Sequence, residues 1–193
     1  MDEHTVIVNR LPLNCKLHNI ISKLDCGNQL REAELVFNEF PAVGGHVFGT
    51  ARLNFSNSSD VQRVLALQNL EIRGQNVEIV CADRLESPNP LNVVDGTNKL
   101  VVKDLSVSRV GPLCLHNNFS RFGEILYIDM HFMQNLENIY SIIEFRESNS
   151  VVAALEAGLE VEISDKNVKI ESLQGVMVSL EKIDNEQQIY RLI

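Results

Sequence analysis

The chemistry-bearing positions of this 193-residue chain suit binding better than bond-making. Phe48, Thr50 and Arg52 fall on one face of a strand-like run from His46 to Phe55, and Ala51, Leu53 and Phe55 fall on the other. Tyr127, Asp129 and His131 alternate in the same way with Ile128, Met130 and Phe132, a pattern that begins at Ile125. A ring on such a face offers a π surface, a guanidinium stacks on planar groups, and amide and ammonium groups donate hydrogen bonds. Phe48, Arg52 and Tyr127 offer such groups on these faces. Catalytic and metal patterns are not evident. The histidines His4, His18, His46, His116 and His131 share no close ligand spacing with Cys15, Cys26, Cys81 and Cys114, and Cys114 and His116, two apart on a helical stretch, point in different directions. There is no phosphate-binding glycine loop and no Gly-x-Ser-x-Gly elbow. The expectation is a protein that is not an enzyme, with no metal and no cofactor.

Composition sets the surroundings of these residues. A hydrophobic content of 45% with 22% charged residues is that of a globular chain able to bury a core. The net charge is −9, and cutting after Glu86 leaves 8 basic and 11 acidic residues before the cut and 9 and 15 after it. Neither half is basic, which argues against sequence-blind attraction to phosphate backbones. Scattered cysteines without a Cys-x-x-Cys pair fit a reducing compartment. The start, Met1-Asp2-Glu3-His4, has no basic stretch leading into a long apolar run, and no segment reaches the roughly 18 apolar residues of a membrane span. An intracellular protein, nuclear or cytoplasmic, with no membrane partner is expected.

The elements that must position the candidates follow from periodicity. Thr5 to Pro12 reads as a strand closed by proline, and Leu17, Ile20, Ile21 and Leu24 follow at helical spacing up to a stop at Gly27. Ala33 to Asn38 reads as a strand with Leu35 and Phe37 inward, and Pro41 to Gly45 as a turn. After the long strand to Phe55, Ser59 with Gln62 fits a capping box that opens a helix carrying Val61, Val64 and Leu65. A turn at Arg73 to Asn76 leads into the strand Val77 to Cys81. The order is β-α-β-β-α-β.

Glu-Ser-Pro-Asn-Pro and Asp-Gly-Thr-Asn then mark a linker, after which the order repeats. Leu100 to Leu105 lies 94 positions after Val6 to Leu11, and Val168 to Glu171 lies 91 positions after Val77. Pro112 suits the first turn of a helix, and Phe119-Ser-Arg-Phe-Gly-Glu-Ile125 closes it, with Phe119 and Phe122 apolar and Gly123 at a turn that admits positive φ. Ile139 to Phe145 supplies a third strand and Ser150 to Leu155 a second helix. Beyond these, Gly175 to Leu180 reads as a strand and Asp184 to Ile193 as a helix.

This duplicated order, with its helix-to-strand junction at Gly123, resembles two tandem RNA recognition motifs (RRMs). The resemblance implies an α+β fold of two ferredoxin-like βαββαβ domains, each a four-stranded antiparallel sheet backed by two helices, with a C-terminal strand and helix. The boundaries are 1–84 for the first RRM, 85–98 for the linker, 99–174 for the second RRM and 175–193 for the extension. The family's third-strand signature, Lys/Arg-Gly-Phe/Tyr-Gly/Ala-Phe-Val-x-Phe/Tyr, falls on Phe48 to Phe55 and on Asn138 to Phe145. The first octet keeps Gly49 and the inward residues but puts Thr50 and Arg52 where the family has aromatics. The second keeps Tyr140 and has Ile142 at the other position. In the first strands, Ile7 and Val101 stand where an aromatic is common.

The resemblance implies a non-catalytic protein that contacts short single-stranded RNA through an aromatic-poor sheet surface, with Asn9, Phe48, Arg52, Lys103, Tyr127 and Tyr140 as the candidate RNA-binding side chains. It also implies an alternative. Family domains that have lost their aromatics serve in protein contacts, and Ile7, Val36, Val101 and Ile142 would leave apolar patches for a protein partner or a second copy of the chain unless something covers them. That alternative is a protein–protein interaction scaffold.

Overall fold

The structure, a computed structural model, describes residues 4–26, 29–38, 40, 47–67, 69–82, 96–106, 108–133, 139–157, 162–163 and 166–176. The first copy runs β1 (Thr5–Pro12), α1 (Leu17–Leu24), β2 (Leu30–Asn38), β3 (Phe48–Phe55), α2 (Ser58–Leu65), β4 (Glu71–Ile72), β5 (Gln75–Asn76) and β6 (Glu78–Cys81). The second runs β7 (Lys99–Leu105), α3 (Pro112–Phe119), a 3-10 turn (Ser120–Phe122), β8 (Ile125–Met133), β9 (Ile139–Phe145), α4 (Ser148–Glu156), β10 (Glu162–Ile163), β11 (Lys166–Asn167) and β12 (Lys169–Ser172). The short pairs β4–β5 and β10–β11 are two-stranded hairpins that precede the last strand of each copy. The repeated βαββαβ order inferred from the sequence is the order observed.

The two sheets are one sheet. Eight strands are hydrogen-bonded in the order β12-β7-β9-β8-β2-β3-β1-β6, so the copies join edge to edge where β2 pairs antiparallel with β8. Along this seam Glu34 lies opposite His131, Val36 opposite Asp129 and Asn38 opposite Tyr127. Behind the sheet the copies touch again. The Leu113 amide donates to the Leu13 carbonyl at 3.2 Å, the Lys16 ammonium to the Ser108 carbonyl at 3.3 Å, and Phe40 stacks on His116 with centroids 4.9 Å apart. A Cβ on Gly111 would sit 3.0 Å from the Cys15 carbonyl oxygen, so a small residue suits this close approach.

Alternation along each strand puts the apolar set on the helix side. Leu35, Phe37, Leu53 and Phe55 from the first copy and Ile128, Ile143 and Phe145 from the second are at most 1% exposed and belong to one continuous core. The helices contribute Leu17, Ile20 and Leu24, Val61 and Val64, Leu115 and Phe119, and Val151 and Ala154. Both copies also share an irregularity. The first strand of each slips register, between Val8 and Leu11 and between Val102 and Leu105, with Arg10 at φ 64° and Asp104 at φ 61°. A left-handed non-glycine residue is uncommon, and its recurrence 94 positions on marks the duplication at the level of backbone.

Several boundaries differ from the sequence reading. The stop of α1 is Asp25, left-handed at φ 49°, two residues before Gly27, which lies outside the described residues. Asn57, not Ser59, caps α2, its side-chain oxygen accepting from the Asp60 amide at 3.0 Å. An Asn two residues earlier wins the cap because its side-chain carbonyl reaches the amide of the third helical residue directly. Gly123 does not need positive φ. Its backbone is extended at φ 162°, and what requires glycine is space, since a Cβ there would lie 2.0 Å from Ser150 Oγ. Residues 173–176 are helical, where a strand was expected to begin at Gly175. The turn at Pro41 to Gly45, the linker core 85–95 and the tail from Met177, including the expected final helix, lie outside the described residues. No helix among the described residues is long and apolar enough to cross a membrane.

Candidate nucleic-acid interface

Cross-strand partners share a face, so the register lays the outward side chains in rows. One row crosses the seam as Tyr140, His131, Glu34, Arg52 and Ile7, on β9, β8, β2, β3 and β1. The next row is Val101, Ile142, Asp129, Val36 and Thr50. Strands spaced about 4.8 Å apart put Tyr140 and Arg52 roughly 14 Å from each other on one surface.

The Tyr140 ring stacks on His131, with centroids 4.8 Å apart and planes at 12°. Burial, then the charge of Asp129, pushes the phenol pKa up, so the side chain stays a neutral donor. Tyr127 is more deeply set. Its hydroxyl is buried close to the Asp129 carboxylate without a well-formed hydrogen bond, and burial followed by the charges of Asp129 and Glu34 raises its pKa strongly. Arg52 lines a cavity of about 210 Å³ with Glu32, Glu34 and Asn54. Phe48, at 39% exposed, is open at the end of β3, with the Arg10 guanidinium 5.8 Å from its ring centre.

The remaining candidates are engaged. The Asn9 side-chain oxygen accepts from the Thr50 hydroxyl at 3.3 Å, and the Lys103 ammonium donates to Glu171 at 2.8 Å. The four aliphatics are not open patches. Ile7 is 6% exposed, Val36 9%, Val101 4% and Ile142 8%, so neighbouring groups of the chain cover them and they offer no open apolar surface.

Sequence reasoning missed the group at the centre of the seam. Asp129 is completely buried, and its Oδ2 lies 2.7 Å from His131 Nε2. Glu34, Asp129 and His131 each offer a donor atom within 4.8 Å of the others. Burial and then Asp129 raise the Glu34 pKa, while His131 and Arg52 oppose the shift. For His131 burial acts against the charged form, but the hydrogen bond to Asp129 and the surrounding carboxylates outweigh it and raise the pKa. Residues 34 and 129 are 95 apart in sequence, so no local spacing announces the cluster. The only signal was alternation that put Asp129 and His131 on one face of the second strand of a duplicated unit.

Two βαββαβ units, each with a four-stranded antiparallel face and two helices behind it, define the class as a tandem ferredoxin-like fold. No protein-family description matches the sequence, and no curated protein matches it. Among solved structures the chain is similar to RNA recognition domains 1 and 2 of Sex-lethal from Drosophila melanogaster, at 15% identity over 87% of this chain and 98% of that one, with a TM-score of 0.33. It is similar to the first two RRM domains of the yeast poly(U)-binding protein Pub1, at 16% identity over 88% and 98%, with a TM-score of 0.36. The Nab3 RRM shares 25% identity over 39% of this chain and 93% of its own, with a TM-score of 0.33. The fold assignment rests on the strand order and connections described above.

Proposed function

We propose that this chain is a non-catalytic RNA-binding protein whose fused sheet contacts a short single-stranded segment. The observation that carries the reading is the outward row from Tyr140 to Arg52, which sets an aromatic ring from one copy and a guanidinium from the other on a single face. Tyr140 occupies the position where an RRM presents a stacking ring, and Phe48 with Arg10 adds an open aromatic at the far side. The acidic seam between them makes affinity depend on stacking and hydrogen bonding more than on phosphate attraction, so binding should be selective and weakly salt-dependent. Fluorescence anisotropy with a pool of short single-stranded RNA at low salt tests this. Binding is expected, and Tyr140→Ala should weaken it by about 5- to 150-fold, the equivalent of about 1–3 kcal/mol for one stacked base. No anisotropy change at low salt overturns the reading.

A protein-interaction scaffold is the second reading, and it rests on other residues than the covered aliphatics. Pro12, Leu13, Val47 and Phe48 of the first copy and Leu113 of the second line a groove of about 360 Å³. Phe48 and Leu113 are both exposed large hydrophobics, which favours contact with an apolar side chain. Light scattering that finds an oligomer dissolved by Leu113→Asp would support this reading, and a strictly monomeric RNA-binding chain would remove it.

A further inference from the structure

The duplication gives a register argument that extends beyond RNA. Val36 faces Thr50 as His131 faces Tyr140, and Glu34 faces Arg52 as Asp129 faces Ile142, so Glu34 and Asp129 occupy equivalent positions of the two copies. Antiparallel pairing of β2 with β8 brings these two acids together across the seam. In the first copy the acid has Arg52 opposite it on the neighbouring strand. In the second copy that place is taken by Ile142, and Asp129 is left with His131.

The Asp129 side chain is 1% exposed; its Oδ2 pairs with His131, and its Oδ1 and the neighbouring Tyr127 hydroxyl are both buried without a well-formed hydrogen bond. A fully buried carboxylate beside a second carboxylate is costly unless positive charge neutralises the pair; a protonated His131 supplies one charge, and a divalent cation would supply two. Two carboxylates and an imidazole are the mixed oxygen and nitrogen donors that suit zinc, and they are a poor set for magnesium, which prefers oxygen alone. Glu34 also lines the 210 Å³ cavity, which leaves one side of the cluster open to solvent.

We propose that Glu34, Asp129 and His131 form a Zn²⁺ site that clasps the two copies at their seam. His131 Nε2 and Asp129 Oδ2, now 2.7 Å apart, would sit about 3.3 Å apart as two tetrahedral ligands, so loading widens this pair. The ion forms bonds to one atom of each side chain, and any proton shared between the imidazole and the carboxylate leaves to solvent. Tyr140, stacked on His131, is one of three tyrosines in a chain with no tryptophan, so its fluorescence can report the change.

The full chain, stripped with a chelator that is then removed, is titrated with ZnCl₂ alone and, in parallel, with MgCl₂ alone. Calorimetry should find one Zn²⁺ per chain and no Mg²⁺, and tyrosine fluorescence should change with the same stoichiometry. Glu34→Gln and His131→Gln should each weaken Zn²⁺ about tenfold or more, whereas His18→Gln, at an exposed position, should not. Asp129→Asn tests the buried ligand, and Glu34→Gln keeps the test valid if that variant does not fold. No calorimetric or fluorescence response up to about 100 µM Zn²⁺ overturns the proposal. So does binding that is unchanged in both Glu34→Gln and His131→Gln, which marks an adventitious ion only.

Discussion

The first copy of the fold keeps the interior of its motif and loses the surface, whereas the second keeps part of the surface and changes the interior. In the first, Gly49 lies against Phe37, so closely that a Cβ would come within 2.4 Å of the ring, and the outward positions hold Thr50 and Arg52. In the second, Ile139 stands at the glycine position and Tyr140 retains a ring. Core positions answer to neighbours inside the chain, and outward positions answer to whatever the face contacts. The seam adds a third demand, because β2 and β8 must satisfy each other, and there the copies differ again: Val36 on one side, His131 on the equivalent place of the other.

The comparison is broken most severely through the cores. If the two copies are one cooperative body, Leu53→Ala in the first and Ile143→Ala in the second should each cost about 2–5 kcal/mol and lower the same single transition, read by urea denaturation with circular dichroism. Two separable transitions, each sensitive to one variant, would show the copies to be independent despite the shared sheet. A smaller loss follows from Gly49→Ala, which forces the Phe37 ring to move and should cost about 1–3 kcal/mol of stability in the same assay. An unchanged midpoint would mean that Phe37 yields freely. The mildest change sharpens the comparison of surfaces: Thr50→Tyr restores a ring at the position equivalent to Tyr140, and should tighten single-stranded RNA binding by about tenfold or less at unchanged melting temperature. Weaker binding would indicate that the Asn9–Thr50 hydrogen bond itself matters.

Elements were legible because their signals are local. The alternation from Ile125 to Phe132 and the helical spacing of Leu17, Ile20 and Leu24 are satisfied inside single elements, and both appear as read. Helix ends were read less well, since Asn57 and Asp25 won over Ser59 and Gly27 by geometry that composition does not encode. The site was partly legible. Tyr140 and Arg52 were singled out from strand position, but that they share a row depends on β2 pairing with β8, a contact between copies that neither copy's sequence specifies. For the same reason the acid–histidine cluster was invisible.

Joining β2 to β8 has a further outcome for the life of the molecule in a crowded solution. An unpaired strand edge is a template on which another chain can build, and long edges are the most hazardous. The fusion pairs seven residues of each of two nine-residue strands at once. What remains at the borders of the eight-stranded sheet is β6 and β12, each four residues long and each carrying charge, Glu78 on one and Lys169 and Glu171 on the other. Among the described residues, the borders of the eight-stranded sheet are therefore short, charged strands that give a second chain little to pair with.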